Sequence, residues 1–404
     1  MKTIIIAIIA CVSLFSCSRE EPVQVKDMIV EFKLPDNFTL GVKYSNKEVV
    51  FTSPYNIYKF TTDENGVIRI PEIIPDEYTI NTTWEMSGAQ YNELINDNQI
   101  VEDKAKVLLK ATQANYPVFS NKSIKIDLEK IIMRSLLISK VYFSGTKDDS
   151  NRNYRTDSFV EIFNNSDEVV YLDGKYLALT ESMSPAAYLA KDNPDYIYTR
   201  QICRFPGEGN EYPLEPGKSI VIATRSARDH TTSASNSVDL SDAEFEVKEI
   251  DGTGNPEIKA LPVISSSAPI KYLNLLSNGS NAVFIFETEE NILDWPEFFA
   301  PGKTSGERFR RVPVNTVLDG VESLMNNAST GPDVNLKRFP NIIDAGFGYI
   351  NSISGYTNEV LERKVSGMDG DRLVLQDTNN STDDFVTTTG STPKKYDHLQ
   401  LLNK

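Results

Sequence analysis

Short apolar runs that alternate with polar residues dominate the chain from residue 25 onward. Examples are MIVEFKL at 28–34, YNIYKFTT at 55–62 and SIKIDLEKII at 123–132. A period of two, with many β-branched and aromatic residues, is typical of β-strands. Dipeptides that favour tight turns, such as Asn65-Gly66 and Asp173-Gly174, separate the runs. The pattern predicts an all-β chain built from β-sandwiches.

The same pattern predicts two domains, because 404 residues exceed one typical domain. We expect the first sandwich at 25–132 and the second at 133–396. Two long stretches near 225–270 and 300–355 interrupt the strand pattern of the second sandwich, and we interpret both as insertions. The stretch at 87–113 has mixed helical periodicity and predicts a helix-containing loop.

The stretch FVEIFNNSDEVVYLDGKYLAL, at 159–179, gathers acids and amides in an apolar context. It is either a site for chemistry or a set of polar residues that belong to two strands and the turn between them. Asn164 and Asn165 can hold a turn through hydrogen bonds from side chain to backbone. Burying a carboxylate without a partner is costly. We therefore expect the local acids, Glu161 included, to be exposed, bonded to backbone amides or holding a cation, and we favour the structural reading.

The first residues, MKTIIIAIIACVSLFSC, have the layout of an export signal, with Lys2 before an apolar core too short to span a bilayer comfortably. The ending Leu14-Phe15-Ser16-Cys17 resembles a bacterial lipobox. That resemblance implies a signal peptide at 1–16, lipid on Cys17 and a tether at 17–24. Several acyl chains on one cysteine suffice for stable anchoring. The alternative is an ordinary secretory signal with an incidental cysteine.

The tether carries Arg19-Glu20-Glu21, which resembles the signal that directs Bacteroidetes lipoproteins to the outer face of the outer membrane. This implies a lipid-anchored protein of the outer membrane, exposed at the cell surface, whose contact with the membrane runs through Cys17. The periplasmic face remains the alternative.

The net charge of −16 disfavours binding to phosphate backbones and to anionic membrane surfaces. Nucleic acid is therefore not an expected partner. Of three cysteines, Cys11 lies in the signal and Cys17 would carry lipid, which leaves Cys203. A lone cysteine cannot form an intramolecular disulfide, so the fold must hold by packing.

Catalytic and metal-binding patterns are weak. Zinc sites use clustered cysteine and histidine, and the chain has only His230 and His398, both expected to be solvated. No nucleophile elbow, phosphate loop or dinucleotide fingerprint follows a strand. Oxygen ligands suited to calcium occur in QDTNNSTDD, where the candidates are Asp377, Asp383 and Asp384. We predict no cofactor and no enzyme.

Aromatic residues in loop-like contexts offer a better lead. The candidates for ligand binding are Trp295, Phe298, Tyr196 and Tyr198, because exposed aromatic groups rimmed by polar residues mark binding surfaces. The alternative is that they close the ends of the sandwich. The nearby GERFRRVP, at 306–313, adds three arginines to an acidic protein. These could orient an anionic ligand or pair with surface acids.

The stretch TTDENGVIRIPEIIPDEYTI, at 61–80, resembles the carboxypeptidase-regulatory-like, or transthyretin-like, β-sandwich. A turn followed by a strand, a proline-containing loop and an inward Tyr78 carries the resemblance. The chain departs from the family in having Asp76-Glu77 where a glycine usually precedes the tyrosine. The resemblance implies an accessory scaffold at 25–132.

Motifs between 134 and 394 resemble, in order, the lamin-tail domain, an immunoglobulin-like β-sandwich. Lys140 departs from the family, which often has an acid there. The matching positions are Ser139-Lys140-Val141, Phe159 to Asn164, Leu172 to Leu177, Leu214 to Gly217, Asn278-Gly279, Leu361 to Arg363, Asp377-Thr378, Asp383 to Phe385 and Thr392-Pro393. The resemblance implies a fold without an associated reaction.

The whole layout resembles an uncharacterised group of Bacteroidetes outer-membrane lipoproteins, which often accompany β-barrel receptors for nutrient uptake. This implies a non-catalytic binding or accessory role, with such a receptor as partner and the N-terminal sandwich as a spacer. One alternative is a glycan- or peptide-directed hydrolase with a carboxylate pair within 225–355. Another is a structural or adhesive surface protein.

Overall fold

The computed structural model describes residues 24–96, 101, 103, 105–120, 123–181, 187–390 and 392–396. Strands dominate these residues and helices are short, so the predicted all-β class is confirmed. Cys17, the predicted signal peptide and most of the predicted tether lie outside the described residues.

The chain divides into two compact units. The first comprises the chain up to Pro35 together with Lys43–Thr83 and Lys110–Glu129, and the second comprises Asp36–Val42, Trp84–Leu109 and the chain from Lys130 onward. The division after Glu129 lies close to the predicted boundary at 132. Residues 36–42 and 84–109, which the sequence assigned to the first domain, cluster with the second unit.

Up to residue 133 the described strands form two antiparallel or mixed sheets, ordered β4-β1-β7 and β3-β2-β5-β6-β8. Their bounds are β1 Val25–Lys33, β2 Glu48–Thr52, β3 Ile57–Thr61, β4 Val67–Ile73, β5 Asp76–Ser87, β6 Lys106–Val118, β7 Ser123–Asp127 and β8 Glu129–Met133. The alternation of the sequence is visible in β4, where Ile68 and Ile70 are buried and Arg69 is exposed. This is the pattern of strands with one face on a core.

The predicted turn at Asp63–Gly66 is confirmed. The carboxylate of Asp63 accepts hydrogen bonds from the backbone N–H groups of Asn65 and Val67, both at 2.9 Å. Gly66 has φ +78°, which a residue with a side chain rarely adopts. The turn therefore joins β3 of one sheet to β4 of the other.

The predicted helix in the stretch at 87–113 is present as α1, Gly88–Leu94, but the expected loop is wrong from residue 106 onward, where the chain lies in strand β6. A capping box starts it: Ser87 Oγ accepts from the N–H of Gln90 at 3.2 Å, and the Gln90 side chain accepts from the N–H of Ser87 at 3.0 Å. The reciprocal bonds satisfy two N–H groups that a helix start leaves open.

From residue 134 the described strands form a sandwich of two large sheets with small hairpins at its ends. The bounds are β9 Leu136–Tyr142, β10 Thr146–Lys147, β11 Asn153–Tyr154, β12 Phe159–Asn164, β13 Val170–Tyr171, β14 Tyr176–Thr180, β15 Tyr196–Arg204, β16 Pro213–Leu214, β17 Ser219–Ala223, β18 Phe245–Glu246, β19 Lys259–Ala260, β20 Val263–Ser266, β21 Asn281–Phe286, β22 Glu297–Phe299, β23 Arg308–Pro313, β24 Val317–Ser323, β25 Glu359–Arg363, β26 Val365–Asp369, β27 Arg372–Leu375 and β28 Phe385–Thr389. A short helix, α2, spans Ser381–Asp384, and 3₁₀ turns span Ala190–Asp192, Ile292–Asp294, Val314–Thr316 and Val334–Leu336.

The first large sheet has the order β19-β18-β17-β12-β9-β25-β28, and the second has β22-β23-β15-β14-β21-β24, with β20 also paired to β15. A single apolar core contains side chains of both sheets, such as Ile162 and Ile222 from the first and Leu177 and Ile285 from the second. A second cluster covers the other face of the second sheet, around Phe284 and Phe339.

The structure builds part of the stretch at 300–355, interpreted as an insertion, into the sandwich. Strand β24 pairs with β21 over six positions, and β23 pairs with both β15 and β22. Charged residues such as Arg308 and Glu322 interrupt the apolar alternation of these strands, and this interruption hid them in the sequence.

The polar cluster at 159–179 is structural. Asn164 donates to the carbonyls of Glu168 and Leu214, both at 2.7 Å. Asn165 exchanges two hydrogen bonds with the backbone of Leu375, donating at 3.2 Å and accepting at 2.8 Å. Glu161 is fully buried and accepts from the backbone N–H of Lys394 at 2.8 Å and from the Tyr396 hydroxyl.

Residues 392–396, here called the C-terminal strap, cover the outer face of the first sheet. Lys140, fully buried, pairs with Glu362 at 3.1 Å and donates to the carbonyls of Thr392 and Lys395 at 2.8 and 2.6 Å. The buried ammonium of Lys140 and the buried carboxylate of Glu161 thus each take two of their hydrogen bonds from the strap.

Candidate binding site: an aromatic edge

Three strands at one end of the second sheet bring together most of the aromatic residues named above. Tyr198 lies opposite Arg311 across the β15–β23 pair, and Phe298 lies opposite Phe309 across the β22–β23 pair. Side chains of adjacent strands that lie opposite each other are in contact range. The surface that we call the aromatic edge consists of Tyr188, Tyr196, Tyr198, Phe298, Phe309 and Arg311.

The rings of the aromatic edge pack on one another. Tyr188 stacks on Tyr198 with ring centroids 3.5 Å apart and planes 9° apart. Tyr198 meets Phe298 edge to face at 6.4 Å, and Tyr188 meets Phe309 edge to face at 5.4 Å. These geometries suit the quadrupoles of aromatic rings. The surface is therefore assembled before any ligand arrives.

Arg311 lies within this array. Its guanidinium carbon is 3.7 Å from the Phe298 centroid and 4.6 Å from the Tyr196 centroid. Both distances are inside the range of cation–π attraction. Among the residues that the structure describes, no carboxylate pairs with Arg311, and its buried Nε has no hydrogen-bond partner.

Tyr188 fixes the array from below. It is buried, and its hydroxyl donates to the carbonyl of Phe299 in the edge strand β22. Burial, with Tyr198 and Glu181 nearby, raises the pKa of the Tyr188 phenol to about 12. The phenol therefore stays protonated and keeps donating over the whole physiological range.

Three of the four predicted ligand residues lie on this edge. Tyr196 is 39% exposed, while Tyr198 and Phe298 are half-buried. The hydroxyls of Tyr196 and Tyr198 make no hydrogen bond with any part of the chain that the structure describes. Both the rings and the hydroxyls are thus available to a ligand.

Trp295 is the exception among the predicted residues. Its ring packs at 6.3 Å from Phe286 in the second apolar cluster, and its indole N–H donates to Glu290 at 2.5 Å. Ile197 and Val312 belong to the same cluster, and they alternate along their strands with Tyr198 and Arg311. Alternate residues of a strand point to opposite faces. Trp295 therefore lies across the sheet from the aromatic edge and packs against the second apolar cluster.

The three arginines of GERFRRVP have different environments. Arg310 pairs with Glu297 at 3.0 Å and donates to the carbonyls of Ile292 and Leu293 at 3.2 Å. Arg308 is exposed over the ring of Phe299, at 4.6 Å. Both alternate with Arg311 along β23 and so lie on the opposite face.

The calcium candidates lie in another environment. Asp377 and Asp384 accept from the buried guanidinium of Arg363 at 3.3 and 3.4 Å, and Asp319 does so at 2.9 Å. Asp383, on the surface, accepts from the Asn380 side chain at 2.6 Å. In the described ranges no group of three or more acidic, histidine or cysteine side chains has the arrangement of a metal site.

Buried carboxylates with raised pKa values occur within 225–355, where the hydrolase alternative places its acids. Burial raises the pKa of Glu322 to about 7 and that of Asp319 to about 6. Glu322 is held by Arg338 at 3.3 Å and by the N–H of Phe339 at 2.9 Å. Both carboxylates are fully buried and bonded to protein partners, so burial raises their pKa values while the arginine partners oppose the rise.

His230 was expected to be solvated, and this expectation is wrong. The ring is fully buried, with Nδ1 at 2.6 Å from the Tyr154 hydroxyl and Nε2 at 2.9 Å from the Ser226 carbonyl. Burial lowers its pKa. Cys203 is also buried, in the central core, as a small apolar residue. His398 lies outside the described residues.

Phe309 was not singled out from the sequence, and Arg311 was named only as one of the three arginines of GERFRRVP. Both stand in stretches already rich in aromatic or basic residues, and the alternation of Arg311 with Arg310 and Val312 was a usable signal. The contact of Tyr188 with Phe299 of β22, however, joins residues that are 111 positions apart in the sequence. Separately, the described part of the chain holds no helix with the length and apolarity needed to cross a membrane.

Comparisons with known proteins find one matching family model and one similar solved structure. Residues 215–392 match the family model described as a protein of unknown function, DUF4876. A crystal structure of a DUF4876 family protein from Bacteroides thetaiotaomicron is similar to this chain with a TM-score of 0.56 and 24% identity, over 90% of this chain and 95% of that one. No curated protein matches the sequence. Residues 215–392 are therefore similar to the DUF4876 family, and the chain shares its fold with the Bacteroides protein.

Proposed function

We propose that this protein is a non-catalytic binding lipoprotein of the outer membrane whose ligand rests on the aromatic edge. The observation that carries the proposal is the preassembled array of Tyr188, Tyr198, Phe298 and Arg311 at an open sheet edge. Tyrosine, phenylalanine and arginine are typical of binding hot spots, because they offer large contact area at low entropic cost.

The hydrolase alternative finds less support. A general acid needs a shifted pKa and access to the substrate. The carboxylates within 225–355 whose pKa values are raised, Asp319 and Glu322, are enclosed by arginines in the interior. The adhesin alternative differs in its surface, since it calls for a broad apolar patch and the aromatic edge is small and carries a cation.

A first experiment tests binding on the aromatic edge. Tyr198→Ala removes a ring that contacts both Tyr188 and Phe298, and the loss of affinity for a bound glycan should be tenfold or more, about 1.4 kcal/mol. The probes are arrayed neutral and acidic oligosaccharides, measured with the mature chain carrying Cys17→Ser. Tyr55→Ala is the matched control, because Tyr55 is a highly exposed tyrosine of the first unit. Equal glycan binding by both variants and the parent would contradict the proposal.

The anchor is tested separately. The lipobox-like ending at Cys17 supports lipidation, with the protein at the cell surface and a β-barrel receptor of the outer membrane as partner. Cells fed a labelled palmitate analogue should incorporate label into the parent and not into Cys17→Ser. Protease added to intact cells should remove the protein if it faces outward. Co-purification with an outer-membrane barrel after crosslinking on cells tests the partner.

A further inference from the structure

We infer that the aromatic edge takes a saccharide ring that bears a carboxylate, a uronic acid, with Arg311 as the residue that recognises the acid. This inference rests on the proposed function and names the class of ligand. It starts from the state of Arg311, since the other members of the aromatic edge make no distinction between neutral and charged sugars.

The guanidinium of Arg311 lies between two rings and has no acceptor. Phe298 and Tyr196 occupy its faces at 3.7 and 4.6 Å. None of its donors makes a hydrogen bond within the described residues, and its Nε is buried. A guanidinium presents its N–H groups at the edge of its plane, in a fork that matches a carboxylate. The two rings therefore leave the N–H fork of Arg311, the part that binds a carboxylate, without an acceptor.

The neighbouring arginine shows what an occupied guanidinium looks like in this sheet. Arg310 is half-buried, pairs with Glu297 and donates to Ser265 at 2.9 Å and to backbone carbonyls. Arg311 is equally half-buried, one residue further along β23, yet lacks any such partner among the residues described. Within β23, Arg311 is thus the half-buried arginine that has no carboxylate beside it among the described residues. An anion supplied by a ligand would complete it.

A ring fits the rest of the surface better than a peptide does. Strand β22, at the edge of the sheet, has three residues, which is too short to add a peptide strand through a useful number of backbone hydrogen bonds. The exposed ring of Tyr196 suits the flat apolar face of a sugar ring. The hydroxyls of Tyr196 and Tyr198, unpaired within the described residues, can bond sugar hydroxyls.

The experiment compares matched sugars. Calorimetric titration of the Cys17→Ser mature chain uses oligogalacturonate, oligoglucuronate and oligomannuronate, each beside the same oligomer after chemical reduction of its carboxylates. We expect at least one uronate to bind about tenfold or more tightly than its reduced form. The preference should weaken as salt is raised, because the pair is partly exposed.

Variants assign the preference to one residue. Arg311→Gln should abolish the difference between acid and reduced forms, and Arg311→Lys, which keeps the charge without the fork, should retain only part of it. Arg308→Gln, on the opposite face of β23, should leave the difference unchanged. Thermal unfolding of each variant checks that the fold persists, and an Arg311→Gln chain that fails to fold leaves Arg311→Lys as the deciding variant.

Failure of this inference is distinguishable from failure of the proposed function. Equal binding of acid and reduced oligomers, lost in Tyr198→Ala, overturns the role of Arg311 and leaves the aromatic edge as a site for neutral glycan. Absence of binding to every oligomer overturns both. Binding of short peptides in place of all sugars also overturns the inference.

Discussion

At the scale of single residues, Arg363 is the most heavily paired cation in the described interior. Its guanidinium donates to three carboxylates, those of Asp319, Asp377 and Asp384, and to the carbonyl of Ile138 at 3.0 Å. Its pKa is raised even though burial alone would lower it, because the three carboxylates outweigh the loss of water. Burial also raises the pKa of Asp384, with Arg363 opposing the shift.

Arg363→Met should therefore destabilise the protein strongly. It leaves three buried carboxylates without their shared cation, and breaking a buried ion pair on one side costs about 3–5 kcal/mol. Urea unfolding of this variant beside Arg308→Met, an exposed arginine, measures the difference. A similar midpoint for both variants would show that the carboxylates are neutral in the folded protein.

Glu322 gives a pH dependence with a defined sign. Its pKa rises from 4.5 in an ordinary environment to about 7 in the fold, mainly through burial. Between these values the folded state holds a proton that the unfolded state releases, so the contribution of Glu322 to stability is full below pH 4.5 and is lost as pH rises through 7.

Glu322→Gln removes this titration. The fall of stability between pH 4.5 and 7 should be shallower in the variant than in the parent, as measured by the free energy of unfolding at half-unit steps. Glu257→Gln, at an exposed position, should reproduce the parent slope. A steeper fall in Glu322→Gln would mean that the carboxylate is charged and supported by Arg338.

At the scale of elements, an amide side chain makes the hydrogen bonds that the backbone of a neighbouring strand would otherwise make. The side chain of Asn165 exchanges hydrogen bonds with Leu375 of β27 as a neighbouring strand would. Removing it leaves a buried N–H and a buried carbonyl unsatisfied. Asn165→Ala should lower the free energy of unfolding by about 1–3 kcal/mol.

Asn236→Ala is the control for that variant, because Asn236 is exposed and its side chain has no hydrogen bond within the described residues. Chemical denaturation of both reports the difference. If Asn165→Ala unfolds at the same denaturant concentration as Asn236→Ala, water replaces the lost bonds and the bridge between the strands is dispensable.

Local chemistry predicted the elements well. The Asp63–Gly66 turn, the helix after Ser87 and the alternating strands follow from residues close in sequence. The environments of Glu161, His230 and Trp295 do not, since each depends on a partner from a distant segment or on which sheet face a loop covers. Tyr198 and Phe298 were named as candidates from their loop-like contexts, whereas their convergence and their arrangement around Arg311 required the pairing of β15, β22 and β23. Lipidation, localisation and the transthyretin-like and lamin-tail-like assignments stay predictions.

At the scale of the whole molecule, the C-terminal strap closes a charged interior. Deleting residues 391–404 removes the carbonyls that hold Lys140 and the N–H and hydroxyl that hold Glu161. We expect loss of several kcal/mol, consistent with buried charges left without hydrogen bonds. Thermal unfolding of the truncated chain measures it.

Tyr396→Phe separates the strap's packing from its polar contacts. The ring remains to pack beside Phe163, at 5.7 Å, while the hydroxyl that donates to Glu161 is lost. A smaller loss of stability than in the truncation is expected. No loss in the truncated chain would show that the strap is a surface appendage.

Because Cys203 is buried, its reaction with a thiol reagent can report how often the sandwich opens. In the mature chain with Cys17→Ser it is the one remaining thiol, and it lies in the central core with a pKa raised by burial. A thiol reagent can reach it only after the two sheets separate. The rate at which Cys203 is labelled therefore measures how often the sheets separate. A ligand that binds the aromatic edge and stabilises the fold would lower this rate.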